Sequence, residues 1–280
     1  MSQLQVNRIN DASGGVLAPI SSVMRNRLID AGFTINQRGY VSNTALASGV
    51  YAHDRWKAGS GGCTYTFTQG SLGVPIVITI TAGSLQQVIE GANMPEGGTY
   101  VLSWTGTAQA RFNGGSYSSS PLAVTGITAG ANTTIEFNTG TCSFPQLERG
   151  TQATSFEYRQ YGTELALCQR YCEVVKPSGA TNFAQMGVGA AISTTGASTV
   201  YFYQVAKRSQ PTVTYSAANT FAITASTDAS IPLATINTDR SDVTCLAIGV
   251  TVASGIAGGN ATRLLQNNAA SSQITISAEL

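Results

Sequence analysis

Between residues 26 and 160 the chain alternates short β-branched and aromatic runs with Gly, Asn and Ser turns, at intervals of roughly 8 to 15 residues. Such punctuation leaves no room for long helices and directs the chain toward packed antiparallel sheets. Cys63 to Thr68, CTYTFT, sets Cys, Tyr and Phe against three threonines, the pattern of a half-buried strand. Val74 to Ile80 reads as a fully apolar central strand and Leu85 to Ile89 as a separate alternating one. Thr99 to Thr105 puts Tyr100, Leu102 and Trp104 on one face, and Ala131 to Phe137 puts Ile135 with Phe137. Thr141 to Phe144 reads as a closing strand, Glu148 to Thr151 as a turn, and Thr154 to Tyr158 as a short extended run. About eight strands result, the number of a jelly roll.

One stretch departs from this pattern. From Thr163 to Val174 no Gly, Pro or Asn interrupts the chain, and Leu165, Cys168 and Cys172 recur at spacings of three and four, as on one face of a helix. Thr163 is its candidate cap, and Glu164, Gln169, Arg170 and Glu173 form a face that suits either solvent or a polar inter-subunit rim. Strand patterns then resume at Phe183 to Ala191, Thr199 to Val205, Thr212 to Tyr215, Thr220 to Thr224, Val243 to Val252 and Ser272 to Ser277. The expected fold is all-β: two tandem antiparallel β-sandwich, jelly-roll-like domains, 26–160 and 175–280, joined by a helical linker, 161–174. Residues 1–25 hold too few apolar positions for a core, so this extended segment either attaches to another chain or forms a disordered leader.

Composition narrows the function. Only 10% of the 280 residues are charged and the net charge is +1, so no basic field draws in a phosphate backbone and nucleic acid is not an expected partner. The longest nearly apolar run, Val74 to Ile80, is too short to cross a bilayer, and Met1 to Arg8 lacks a secretory pattern. Five cysteines at irregular spacing do not make a disulfide framework and read as reduced interior thiols. Cys168 and Cys172 lack a partner pair at ligand spacing, so neither metal nor cofactor is expected. The sequons at Asn132 and Asn260 carry little weight.

Two motifs carry a family resemblance. The run from Pro145 to Cys172, PQLERGTQATSFEYRQYGTELALCQRYC, is similar to a segment of tailed-bacteriophage tail-fibre and related virion proteins. Upstream, Asn26 to Gly39, NRLIDAGFTINQRG, followed by Tyr51 to Trp56, YAHDRW, resembles the opening of the same proteins' carbohydrate-binding-module-like jelly roll. Asp30-Ala31-Gly32 departs from the Asn-Gly-Asp run more usual there. The resemblance implies a virion protein made in the host bacterial cytoplasm, a homotrimer that docks on other virion proteins through residues 1–25. It also implies that Asp54, Arg55 and Trp56 anchor a loop, as an Asp54–Arg55 ion pair covered by the indole.

No catalytic constellation is expected. The single histidine, His53, lies inside that architectural motif, and no G-x-S-x-G elbow, P-loop or H-E-x-x-H helix is present. Glycoside hydrolysis needs two carboxylates at short separation. The close pairs, Asp239 with Asp242 and Glu90 with Glu96, both sit in apparent turns or loops. Sugar binding without cleavage needs an aromatic platform beside amides and carboxylates. Candidates are Phe112, Asn113 and Tyr117 around a Gly-rich loop, and Tyr201 with Tyr203 on one strand face, where burial at a subunit interface is the rival reading. The sequence thus points to a receptor-binding tail fibre that contacts host-surface saccharide. A head fibre or capsid decoration protein is the alternative and a polysaccharide depolymerase the third reading.

Overall fold

A computed structural model describes residues 9–10, 16–18, 24–176, 183–224 and 230–280. The attachment role expected of residues 1–25 falls almost wholly outside the described residues, apart from a short antiparallel pairing of Ile9–Asn10 with Val16–Ala18. The rest of the described chain is strand-dominated, with two large curled antiparallel sheets forming two sandwich-like units.

The first sheet runs, in spatial order, through Ala110–Phe112, Thr133–Phe137, Ile78–Ile89, Gly140–Arg149, Gly98–Thr105 and Leu122–Ile127, with Lys57–Phe67 also paired to Ile78–Ile89. Its concave side encloses Phe33, Trp56, Tyr65, Tyr100, Leu102, Trp104, Ile135 and Phe137, all buried. The second sheet runs Ile231–Pro232, Phe221–Thr224, Ala261–Gln266, Gln185–Ala191, Gly196–Phe202, Cys245–Thr251 and Thr235–Asn237. It packs on a narrow sheet of Cys172–Val175, Ile274–Ser277 and Thr212–Tyr215 through Phe221, Ile223, Leu246, Ile248, Val250, Leu264, Ile274 and Ile276.

Several expectations need correction. Val74 to Val77 lies outside any strand, and Ile78–Ile89 is one continuous strand of 12 residues. Pro75 has no N–H for a ladder, and the Ile76 N–H donates instead to the Gly32 carbonyl at 3.0 Å, so Val74 and Val77 are left exposed while Ile76 is buried. Gly83, inside this strand at φ +69°, borders an irregularity in the pairing with Lys57–Phe67; a Cβ there would lie 2.0 Å from the Gly62 carbonyl oxygen. The closing strand continues through Pro145 to Arg149, so the turn starts only at Gly150, and Thr154 to Tyr158 forms no strand.

The helix is Tyr161–Gln169, capped by the backbone of Gln160 with no side-chain bond, and Thr163 lies inside it. The chain then turns, so Cys172 begins a strand opposite Ser277. Glu164 and Glu173, expected on an exposed face, are 8% and 2% exposed because each is consumed by a cation: the nearby Arg159 for Glu164, and the distant Lys207 at 2.7 Å for Glu173. The helix packs Leu165, Leu167 and Cys168 against Ile29 and Ile35. All five thiols are free, and burial pushes those of Cys63 and Cys172 up to about 12.

Candidate functional site

Beside the predicted Tyr117, three strands of the first sheet lie in register and bring polar side chains together. Arg111 faces Glu136, and Glu136 faces Gln86. Alternation along Thr133–Phe137 sends Ile135 and Phe137 inward, so Glu136 stands on the outer side. Arg111 holds that carboxylate by two contacts, Nε at 2.9 Å and a terminal nitrogen at 2.8 Å, while Ser84 Oγ donates to its other oxygen. Gly59 makes this possible, because a Cβ there would sit 2.1 Å from Ser84 Oγ and 2.8 Å from Glu136 Oε1. The Arg111 guanidinium lies 4.5 Å from the centre of the Tyr117 ring, which fixes the ring at the mouth of the Gly114-Gly115 loop. Partial burial, and then the Glu136 carboxylate, hold the Tyr117 phenol above its ordinary pKa, its hydroxyl turned toward Glu136 and Ser84.

Of the other loop candidates, Asn113 is exposed and Phe112 is not. Phe112 pairs in register with Ile135, which turns its ring into the core at 7% exposure, so it offers no platform. Asn113 adopts φ +45° and extends the ladder, its N–H donating to the Thr134 carbonyl at 2.9 Å and its Oδ1 accepting from the Thr134 N–H at 2.7 Å. Arg111, Ser84, Glu136 and Gly59 were missed in the sequence because their meeting depends on strand register. The lone acid in TTIEF, out of phase with Ile135 and Phe137, was the one local signal.

Tyr201 and Tyr203 do not form a ligand platform. The strand ends at Phe202, the two rings stand 6.4 Å apart, and Tyr201 OH donates to Glu173 Oε1 at 2.6 Å. Burial, and then the bond to Glu173, push the Tyr201 phenol up to about 12. Tyr203 is 9% exposed, with Lys207 Nζ 4.6 Å from its ring centre. Both rings therefore pack within the chain, facing the narrow sheet, and the exposed ring of this strand is Phe202, at 71%.

The Asp54-Arg55-Trp56 triplet is fully interior, but its partners are not those expected. Asp54 accepts from the Gln37 N–H at 3.1 Å and lies 3.7 Å from Arg38, and burial raises its carboxyl to about 6. Arg55 pairs instead with Glu279, donates to the Val88 carbonyl, and stacks 3.7 Å from the Tyr171 ring centre. The Trp56 indole packs on Phe33 and donates to the Asp30 carbonyl at 2.9 Å. His53 meets Tyr65 OH at 2.6 Å through Nδ1, and burial lowers its pKa to about 4, so it is neutral.

The acid pairs are also engaged. Glu90 accepts from Tyr171 OH at 2.7 Å, Glu96 pairs with Arg27 at 2.8 Å, and Asp239 accepts from Asn237 Nδ2 at 2.9 Å. Among the described residues no three His, Cys, Asp or Glu side chains group as metal ligands, and no helix is long and apolar enough to cross a membrane.

The motifs that carry the family resemblance meet in space. Glu157 accepts the backbone N–H groups of Met24, Arg25 and Asn26 at 2.6, 3.2 and 2.9 Å. Asn26 accepts from the Leu147 N–H at 3.0 Å, Arg159 donates to the carbonyls of Asn26 and Leu28, and Glu164 accepts from the Asp30 N–H. The segment from Pro145 to Glu164 thus clamps the chain just where it emerges from residue 24. Comparison of the chain with protein-family models, with curated proteins and with solved structures finds no match.

Proposed function

We propose that this chain is a bacteriophage virion protein, a homo-oligomeric receptor-binding fibre that holds host-surface saccharide without cleaving it. The observation that carries the saccharide part is the surface of Arg111, Asn113 and Tyr117. It combines a braced guanidinium, an exposed carboxamide and a phenol around an open glycine loop, the donor and acceptor mix that sugar hydroxyls require. The virion part rests on the sequence resemblance and is supported by the clamp at Met24 to Asp30. A chain that hangs from a particle through its first residues needs a firm hold where the folded body begins. Each contact would be weak, and repetition over several copies raises avidity by roughly two to four orders of magnitude.

The test is binding of the purified chain to host-surface polysaccharide. Arg111→Ala combined with Tyr117→Ala should lower binding at least about tenfold, the loss of one or two charge-assisted or ring contacts. Unchanged binding assigns the surface no such role. Release of new reducing ends from the polysaccharide would favour the depolymerase reading. Immunogold label over the head rather than the tail tip would favour a head fibre or decoration protein.

A further inference from the structure

Over the strands Gln185–Ala191, Gly196–Phe202 and Cys245–Thr251 the second sheet has an outer face that no described residue covers, whereas toward its other edge Ala222, Thr224 and Leu265 on that side are buried. Strand alternation puts Val188, Ala190, Ser198, Val200, Phe202, Ala247 and Gly249 there, opposite the inward-facing Ala197, Thr199, Leu246 and Ile248. Val188, Val200, Phe202 and the adjoining Ile192 are 61%, 42%, 71% and 73% exposed. They are contiguous, since Val188 pairs with Val200 and Val200 with Ala247. Contiguous exposed apolar side chains on a sheet face mark an interaction surface.

The register identifies the partner. One cross-strand row reads Arg263, Val188, Val200, Ala247, and in the turn that follows Thr235–Asn237 Asp239 and Arg240 line one concavity with Ala247 and Gly249, at the far end of that row. The next row reads Ala261, Ala190, Ser198, Gly249, Asn237. Charge is thus confined to the two rims, Arg263 on one and Asp239 with Arg240 on the other, with bulky Val188 to one side of Val200 and small Ala247 to the other.

We propose that this face pairs with a second copy of the chain about a two-fold axis running along the strand Gly196–Phe202. That axis reverses the row. Arg263 of one copy then lies over Asp239 of the other, Val188 over Ala247, and Ala190 over Gly249, while Val200 and Phe202 meet their own counterparts near the axis. The concavity of about 340 Å³ beside Ser198, Ala247 and Gly249, walled on its rim side by Asn237, Asp239 and Arg240, receives the opposing Val188 and Ile192. No charge is trapped, as in the cores of stable interfaces. Four strands about 4.8 Å apart and seven residues long present roughly 450 Å² in projection. With side-chain relief that reaches the lower end of stable interfaces, about 600 Å² per partner. The inference deepens the homo-oligomer part of the function proposed above and is independent of which ligand the first sheet takes.

Sedimentation equilibrium of the intact chain tests it. The expected result is a mass that rises with concentration from 29.0 kDa toward twice that value. Val200→Lys and, separately, Phe202→Lys should each weaken association at least about tenfold with an unchanged melting temperature, because both side chains are exposed in the single chain. A second readout is the charge exchange: Asp239→Arg weakens pairing, and adding Arg263→Asp restores it. A monomer at every concentration overturns the proposal, as does a dimer indifferent to both lysine variants or a three-fold mass. Loss of saccharide binding in Val200→Lys without a change in mass would assign the face to sugar and overturn it as well. Loss of binding in the Arg111 and Tyr117 variants at unchanged mass leaves the pairing intact, so the two readings fail separately.

Discussion

The two sandwiches differ in how they handle charge. The first keeps charges inside. Asp30, Asp54, Arg55 and Glu148 are buried there, beside a core dominated by Trp56, Trp104, Tyr65, Tyr100, Phe33 and Phe137. The second is aliphatic within, with Glu173 and Lys207 as its buried charged pair among the described residues, and leaves Val188, Val200 and Phe202 outside. Buried ion pairs are a poor source of net stability but fix geometry when every partner is present. The first unit therefore reads as a body whose long-range contacts are specified one by one. The second reads as a layer made to be covered.

Removing Arg55 should break this contrast most severely. Its guanidinium is 1% exposed and bridges the Glu279 carboxylate, the Val88 carbonyl and the Tyr171 ring, so it ties the first sheet to the segment after the last strand. Arg55→Ala leaves Glu279 with Arg38 alone and empties the space against Val88 and Tyr171, and should cost about 3–5 kcal/mol in denaturant unfolding. It should also separate the unfolding of the two units. A loss below about 1 kcal/mol would mean that the joint is not held by charge.

Acid sharpens the comparison next. His53 is held near 4 against an ordinary 6.5, so below pH 6.5 the unfolded chain takes up a proton that the folded chain refuses, and stability falls until about pH 4. Asp54 runs the other way. Its folded pKa of about 6 exceeds the ordinary 3.8, so the folded chain binds the proton first and gains stability as pH drops through that window. The trends offset in the native protein. His53→Asn removes only the first, so its stability relative to the native chain should rise by about 3 kcal/mol between pH 6.5 and pH 4, measured by urea unfolding at both ends. A constant difference across that range would show that His53 does not titrate differently on folding.

In the second unit the predicted effect has the opposite sign. Thr199 and Thr262 flank Gly189 in one inner row, and neither hydroxyl finds a hydrogen-bond partner among the described residues. Thr199→Val should raise stability by about 1 kcal/mol in thermal or urea unfolding, since it deletes an unsatisfied buried hydroxyl at nearly constant volume. Destabilisation would reveal a buried water bonded there. The smallest effect belongs to Tyr117→Ala, expected to change stability by less than about 1 kcal/mol because the ring is half exposed and its partner Arg111 keeps Glu136. A larger loss would place Tyr117 with the fold rather than with a ligand.

Much of the strand content was legible locally. Tyr100, Leu102 and Trp104 share a buried face, and Ile135 does so with Phe137, because strand periodicity needs only neighbours two apart. The candidate site was less legible. Tyr117 and Asn113 sit on the open loop, but Phe112 turns inward, and Arg111, Ser84 and Glu136 come together only through pairing across three strands. The helix was overextended for a related reason. Cys172 and Glu173 fit a helical period, yet hydrogen bonding to Ser277 and Ile276, some hundred residues on, decided for strand.

The sequence by itself determined the all-β class, the position of its helical turn and the scarcity of charge. Each depends on composition or on spacings of a few residues. The tertiary structure alone decided which charges are interior and whom they meet. Arg55 reaches Glu279, Lys207 reaches Glu173, and Glu157 holds Met24 to Asn26. Those partners lie tens to hundreds of positions apart, and no local pattern distinguishes one glutamate from another until sheet register and topology have placed them side by side.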